Sequence, residues 1–419
     1  MKESQETTNF SISKNPSSTW TKHDTHWLLS LFGTAVGAGI LFLPINLGIG
    51  GFWPLIIMAI LALPMTYLAH RGLARFVLSS KQEPTDFTDV VDEHFGPKAG
   101  RLISWLYFLS IFPILLIYGV GLTNTVDSFL VNQAGFASPE RWLLSGSMIF
   151  VLIAIMLGGE KLMLRAFAAM VYPLAATLLA LSFYLIPYWQ APNLSVPAWS
   201  DFGRTVWLAI PVVVFSFSHA AAISSFANTQ RRHYRHQAVE KSERILRNTS
   251  VLLIIFVLLF VFSCVFSLTP AQLAQAKDQN ISVLTYLANV TDNPFIASLG
   301  PLVAFVAITS SFLGHFLGAR ESINGLLAKH LKLQPKQADK LGIAILFVSI
   351  WIAAVMNPSI LGMMEALSGP VIAMILFLMP MLAVFKVPAL NRYRSDISTY
   401  FILLTGALAV SAILYNLLF

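Results

Sequence analysis

Long runs of apolar residues recur along the whole chain, and each is longer than a soluble core helix needs. Bounded by charge, Pro or Gly, eleven of them fall near 27–48, 52–77, 102–130, 142–158, 163–187, 205–227, 249–268, 295–318, 341–356, 362–385 and 398–418. A helix crosses about 30 Å of hydrocarbon with roughly 20 residues, whereas a barrel strand needs about half as many. With 56% hydrophobic and 11% charged residues, the chain falls far short of the charge of a soluble domain, about a quarter of its residues. The expected class is an all-α membrane protein with eleven transmembrane helices.

The basic residues set the orientation. If the N-terminus is cytoplasmic, 24 of the 27 Lys and Arg fall on inside segments, leaving Arg141, Arg204 and Lys277 outside. That asymmetry follows the positive-inside rule and puts the C-terminus on the outside. It also accounts for the net charge of +7 without a nucleic-acid partner. The richest inside loop, Arg231, Arg232, Arg235, Lys241, Arg244 and Arg247, is placed to meet lipid headgroups. A single cysteine, Cys264, rules out an intramolecular disulfide. Residues 1–26 are polar with no apolar h-region, so they read as a disordered cytoplasmic tail.

Five spans per half is an odd number, so a second set of five runs opposite to the first, giving a 5+5 inverted repeat over 27–187 and 205–385 with 398–418 as an extra helix. The first and sixth spans then correspond. The first holds Gly33, Gly37 and Gly39 followed by Pro44; in the sixth, Pro211 precedes Ser216-Phe217-Ser218-His219. Both irregular stretches lie roughly 15–20 Å into their spans at helical rise, near the bilayer midplane. Small residues also let helices pack closely, but two such stretches at corresponding positions point to broken helices 1 and 6 around a binding site.

From Gly33 to Gly39 and Ser216 to Phe226 the chain resembles the bacterial hydroxy and aromatic amino acid permeases, in their serine/threonine branch. The resemblance extends through AHRGLARFVLSS at Ala69–Ser80, TNTVDSFL at Thr123–Leu130, FSLTPAQLAQAKDQNISVLTYLAN at Phe266–Asn289 and NPSILGMMEALSGP at Asn357–Pro370. It implies a LeuT-like fold, a bacterial inner-membrane location and cation-coupled amino acid uptake. The chain departs from that branch at Ser218, where members usually have Asn, at Ala220-Ala221 in place of Ser-Pro, and at Ser310, where many carry a lysine.

An amino acid brings a carboxylate and an ammonium into low dielectric, where both need partners. The amides of Ala38 and Gly39, at the start of the outer half of span one, suit the carboxylate. Carbonyls near Phe217 and Ser218 suit the ammonium. Thr34, Ser216 and Ser218 offer hydroxyls to a substrate hydroxyl, and Tyr118 is placed to close over the carboxylate. His219, the ionisable residue at the breaks, is a candidate for substrate or proton handling; a satisfied structural histidine is the plainer reading. Glu365 lies near the outer end of span ten.

The resemblance also implies an ion site. Sodium-coupled members of the wider LeuT-like group use carbonyls that match Gly33 and Val36, completed by an alanine carbonyl and two hydroxyls that match Ala307, Ser310 and Ser311. In proton-coupled relatives a lysine stands in for that ion, and this face has none. The functional expectation is a secondary transporter importing a serine- or threonine-like amino acid by cation symport, with the proton as the ion. A sodium ion, or an aromatic amino acid as substrate, are the alternatives. A channel would show filter repeats or charge rings; a membrane-embedded enzyme would show a clustered acid, base or metal site, for which His219 and His315 are a thin basis. No cofactor is expected.

Overall fold

The computed structural model describes residues 19–81, 87–158 and 160–418, and every regular element among them is a helix. In chain order these are α1 (Lys22–Ala35), α2 (Ala38–Ile49), α3 (Phe52–Leu78), α4 (Phe87–Phe95), α5 (Pro97–Asn132), α6 (Arg141–Leu157), α7 (Glu160–Leu185) and α8 (Trp199–Ser216). There follow α9 (Ile223–Tyr234), α10 (Ala238–Ser267), α11 (Pro270–Asp278), α12 (Val283–Val290), α13 (Pro294–Leu331) and α14 (Pro335–Met356). The last two are α15 (Ile360–Val384) and α16 (Ile397–Leu418). Seven helical stretches are long and apolar enough to cross a membrane, or eight with the bent pair α1–α2 taken as one; Arg141–Leu157 and Pro173–Tyr188 are shorter apolar helices. Large apolar side chains such as Ile60, Leu102, Phe150, Ile255, Leu302 and Leu404 point outward, which only a lipid solvent tolerates in such number. The protein is a multi-pass membrane protein.

The N-terminal tail needs a correction. Residues 1–18 lie outside the described residues, but the chain does not remain a tail to residue 26: α1 begins at Lys22. Thr21 Oγ1 accepts from the Asp24 amide at 3.3 Å while Asp24 Oδ2 accepts from the Thr21 amide at 3.0 Å, a capping box that satisfies two end donors. Hydropathy marks where lipid begins, whereas the cap marks where the helix begins. The same difference lengthens most other helices beyond their apolar runs.

Long helices frame the centre. At about 1.5 Å per residue, α5 with 36 residues and α13 with 38 exceed the membrane thickness; they pack against each other, and α13 also packs against α2. Helix α15 carries two π-helical turns, Met364–Ser368 and Met374–Leu378. Such extra residues occur mostly where a helix serves a site. The first of these turns places Glu365 against α2, where its Oε1 accepts from Asn46 Nδ2 at 2.8 Å.

Candidate functional site

Two interruptions of helix face each other at the centre. Between α1 and α2, Val36 and Gly37 are extended, and the two helices meet at a 60° bend. Between α8 and α9 the chain leaves the helix at Phe217, passes His219 and makes one 3-10 turn at Ala220–Ala222. Glycine is required at the first interruption by proximity. A Cβ on Gly37 would lie 2.1 Å from Ser311 Oγ, and one on Gly39 would lie 2.9 Å from Phe215 Cε1 and 3.1 Å from Ser216 Cα. Gly39 therefore serves first to let α2 touch the end of α8, and Ser216 Oγ donates to its carbonyl at 3.1 Å.

A cavity lies between the interruptions. Of the residues expected to meet substrate, Thr34, Gly39, Tyr118, Ser216, Ser218 and His219 line it together, joined by Ser311 and His315. Phe217 is buried, and its carbonyl holds His219 Nδ1 at 3.2 Å. Ala38 is arranged otherwise than expected: its amide donates to Ser311 Oγ at 2.9 Å, so the first helix turn is already satisfied by a hydroxyl. Tyr118, stacked edge-on to His315 with centroids 5.5 Å apart, also bonds Ser311. Thr34 donates to its own helix at the Ser30 carbonyl, and Ser218 Oγ meets the Ala220 amide at 3.5 Å. The cavity measures about 50 Å³ and shares walls with two neighbouring clefts.

The residues of the expected ion set come close but pair among themselves. Gly33, Val36, Ser310 and Ser311 line an adjoining cleft of about 210 Å³ with Thr34 and His315. Ala307 is fully buried, and its carbonyl accepts from Ser310 Oγ at 3.0 Å. Two of the five candidate oxygens are thus bonded to each other, the ordinary outcome for serine in an apolar helix.

One residue of the site was missed. His70, on α3, stacks face to face on His219 with centroids 3.5 Å apart. It stands in the Ala69–Ser80 motif, and an ionisable side chain within a span was itself a signal; which helix it would meet was not written in α3's own periodicity.

The two ends of the cavity differ. On the side of the basic loop, Tyr107 and Ala221 continue into a vestibule of about 430 Å³ lined also by Thr88, Ser225, Glu321 and Ser322. Helix α4, which supplies Thr88, is latched to the end of α3 by Glu93, whose carboxylate accepts from Ser80 Oγ and the Lys81 amide. Burial pushes the Glu93 carboxyl up, but these hydrogen bonds outweigh it and hold the group below the ordinary glutamate value. Toward the opposite end of α5 lies a polar knot. Asn124 Nδ2 donates to the Asn280 carbonyl at 2.7 Å and to Asn357 Oδ1 at 3.0 Å, while Arg141 donates to Asn124 Oδ1 and the Ala354 carbonyl, each at 2.7 Å. These contacts join α5, α6, α14 and the loop before α12. Sequence spacing gave no sign of that convergence.

Comparison with known proteins agrees with this architecture. Serine transporter SdaC of Escherichia coli K12 is 51% identical over 417 residues, covering 97% of each chain. Threonine/serine transporter TdcC of Edwardsiella tarda is 39% identical over 434 residues, covering 96% of this chain and 97% of its own. Among solved structures, MhsT in complex with L-phenylalanine superposes with a TM-score of 0.56 at 15% identity, over 95% of this chain and 98% of that one. At that identity the likeness speaks for the fold, which is LeuT-like. Named relatives are transporters rather than enzymes, and residues 27–419 match the tryptophan/tyrosine permease family, so the chain belongs to that family of permeases.

Proposed function

We propose that the protein imports a small hydroxyl-bearing amino acid, serine before threonine, together with a proton across a bacterial inner membrane. The observation that carries this reading is the cavity itself. Its walls supply hydroxyls from Thr34, Ser216, Ser218 and Ser311, and its volume suits a small side chain. The names of the relatives, serine and threonine/serine transporters at 51% and 39% identity along nearly the whole chain, point the same way.

In this reading eleven spans cross the membrane. The bent pair α1–α2 is the broken first span, and the 69-residue run from Trp199 to Ser267 divides at its interruption and basic loop into a broken sixth span and a seventh. Spans within 27–187 and 205–385 form the inverted repeats, α16 is the extra helix, and the N-terminus is cytoplasmic with the C-terminus periplasmic. The vestibule then opens to the cytoplasm and the Asn124–Arg141 knot is the closed outer gate. The substrate carboxylate takes the Gly39 amide and displaces Ser311 from that of Ala38, where the helix dipole favours negative charge. The ammonium meets carbonyls at Phe217 and Ser218, and Tyr118 covers the bound molecule. Lipid contacts the outward apolar side chains.

A second reading rests on one observation: Gly33, Val36, Ser310 and Ser311 share a cleft, which would suit a sodium ion as the coupled cation if Ala307 and Ser310 turned toward it. The substrate reading is tested by thermal stabilisation of the purified protein with a panel of unlabelled amino acids, since a ligand of the native state raises its apparent stability. Serine should give the largest shift, threonine a smaller one and tryptophan none. A larger shift with tryptophan would overturn it.

A further inference from the structure

At the interruption between α8 and α9, two imidazoles from different helices lie ring on ring. His219 and His70 are 3.5 Å apart between centroids and 4° from parallel, and each is 1% exposed. Three of their four ring nitrogens have partners that fix where the hydrogen sits. His70 Nδ1 is 2.7 Å from the Thr66 carbonyl, which only accepts, so Nδ1 carries the hydrogen. His70 Nε2 is then a bare lone pair and takes the backbone amide of His219 at 3.0 Å. His219 Nδ1 faces the Phe217 carbonyl at 3.2 Å, which places its hydrogen there too. The fourth, His219 Nε2, is a bare lone pair, buried and without a hydrogen-bond partner among the described residues, on a residue that lines the cavity.

We infer that His219 Nε2 is the atom that binds the transported proton and that His70 is the positioning residue that holds it there. The inference rests on the reading of the protein as a proton-coupled amino acid importer. His70 gains a proton only by giving up its bond to the His219 amide; His219 gains one and loses nothing. Two imidazolium rings at 3.5 Å would repel strongly in low dielectric, so the pair holds one proton. A neutral ring beneath a cationic one is favourable.

The proton comes from the outer solution and forms an N–H bond at Nε2, turning a lone pair into a donor that needs an acceptor. The carboxylate or hydroxyl of the bound amino acid supplies it. Proton and amino acid therefore raise each other's affinity by the same factor. When the amino acid leaves toward the cytoplasm the acceptor goes with it, and the proton passes to water in the vestibule. The other titratable side chains on the cavity wall are Tyr107 and Tyr118 from α5 and His315 from α13. The wall residues from α1, α2, α8 and α15 have none.

The test measures protons taken up when saturating serine is added to the purified full-length protein in weakly buffered detergent, followed with an indicator dye across the pH range. Wild type should take up as much as one proton per chain. His219→Gln should bind serine more weakly, with no proton uptake at any pH. His70→Gln keeps an acceptor for the His219 amide but removes the stacked ring, so uptake persists with its midpoint moved to acid by about one unit, roughly a tenfold loss of proton affinity. Proton uptake by His219→Gln equal to wild type overturns the assignment, and an unmoved midpoint in His70→Gln removes the positioning role. Wild type binding serine without any proton overturns the coupling reading instead. Should His219→Gln fail to fold, 15N-histidine spectra of wild type decide: one of the nine histidines must turn from neutral to cationic on serine addition near the midpoint, and no change overturns the inference.

Discussion

The Ala38 amide donates to Ser311 Oγ at 2.9 Å, which ties the first turn of α2 to the middle of α13 through the atom that the substrate carboxylate replaces in the proposed binding mode. Ser311→Ala should leave that amide without an acceptor, at a cost of about 1–3 kcal/mol, and only while no carboxylate is bound. Under proton coupling the variant is therefore less stable alone but gains at least as much stability from serine as wild type does. Under sodium coupling it loses its response to serine and to sodium together. Thermal unfolding with and without serine, in sodium and in choline, separates the two.

Ser310→Ala should be nearly silent. Its hydroxyl donates to the Ala307 carbonyl of its own helix, and a bond of that kind contributes about 0.5–1.5 kcal/mol. Initial uptake rates within twofold of wild type are expected; a loss of uptake would bring Ser310 into the transport site.

Gly39→Ala should cost at least tenfold in serine affinity, because the added carbon would stand 2.9 Å from Phe215 Cε1 and 3.1 Å from Ser216 Cα and must part α2 from α8. Gly203, on α8, has nothing among the described residues within 4 Å of such a carbon, so Gly203→Ala is the control and should bind serine as wild type does. Equal affinities for the two variants would contradict the close approach.

Asp24 and Lys241 form an ion pair at 3.1 Å with 0% and 1% side-chain exposure. Tyr234 donates to the other Asp24 oxygen, and the Thr19 carbonyl accepts from Lys241 Nζ, so the start of α1 is bound to α9 and α10. Removing one partner of a buried pair strands the other, at about 3–5 kcal/mol. Asp24→Asn should lower thermal stability by that order, and Asp24→Asn with Lys241→Met should recover most of it. A single variant no less stable than wild type would show the pair to be solvated.

The latch of α4 should fail in acid. Glu93 has its folded value held below the ordinary one, so its contribution is complete above the unfolded glutamate value and is lost as pH falls through the lower, folded value. Being exposed, it contributes modestly. Glu93→Gln should be slightly less stable than wild type at neutral pH and equal to it well below pH 4, as a melting series would register; a gap that widens in acid would reverse the sign.

The fold was legible because its strongest signals are local. Apolar length marked the helices, and Gly37, Gly39 and the Ser216–His219 stretch marked the interruptions from a few adjacent residues. The set of side chains at the cavity was legible for the same reason, since Thr34, Gly39, Ser216, Ser218 and His219 all belong to those stretches. What escaped depends on which helix meets which. His70 meets His219 across 149 residues of chain, and Ser311 reaches Ala38 from α13; no spacing within one helix encodes either. The Asp24 cap was overlooked for a different reason, because a polar N-terminal segment reads as tail until its partner Lys241 is in view.

The central claim is that a small hydroxyl-bearing amino acid and a proton share the cavity between the two interruptions. Uptake of labelled serine into proteoliposomes, with the interior alkaline, choline as the cation on both sides and the membrane potential clamped at zero, tests it most directly. Serine should accumulate above its outside concentration, threonine should compete and tryptophan should not. Absence of accumulation under the pH gradient, with accumulation restored by a sodium gradient alone, would contradict it.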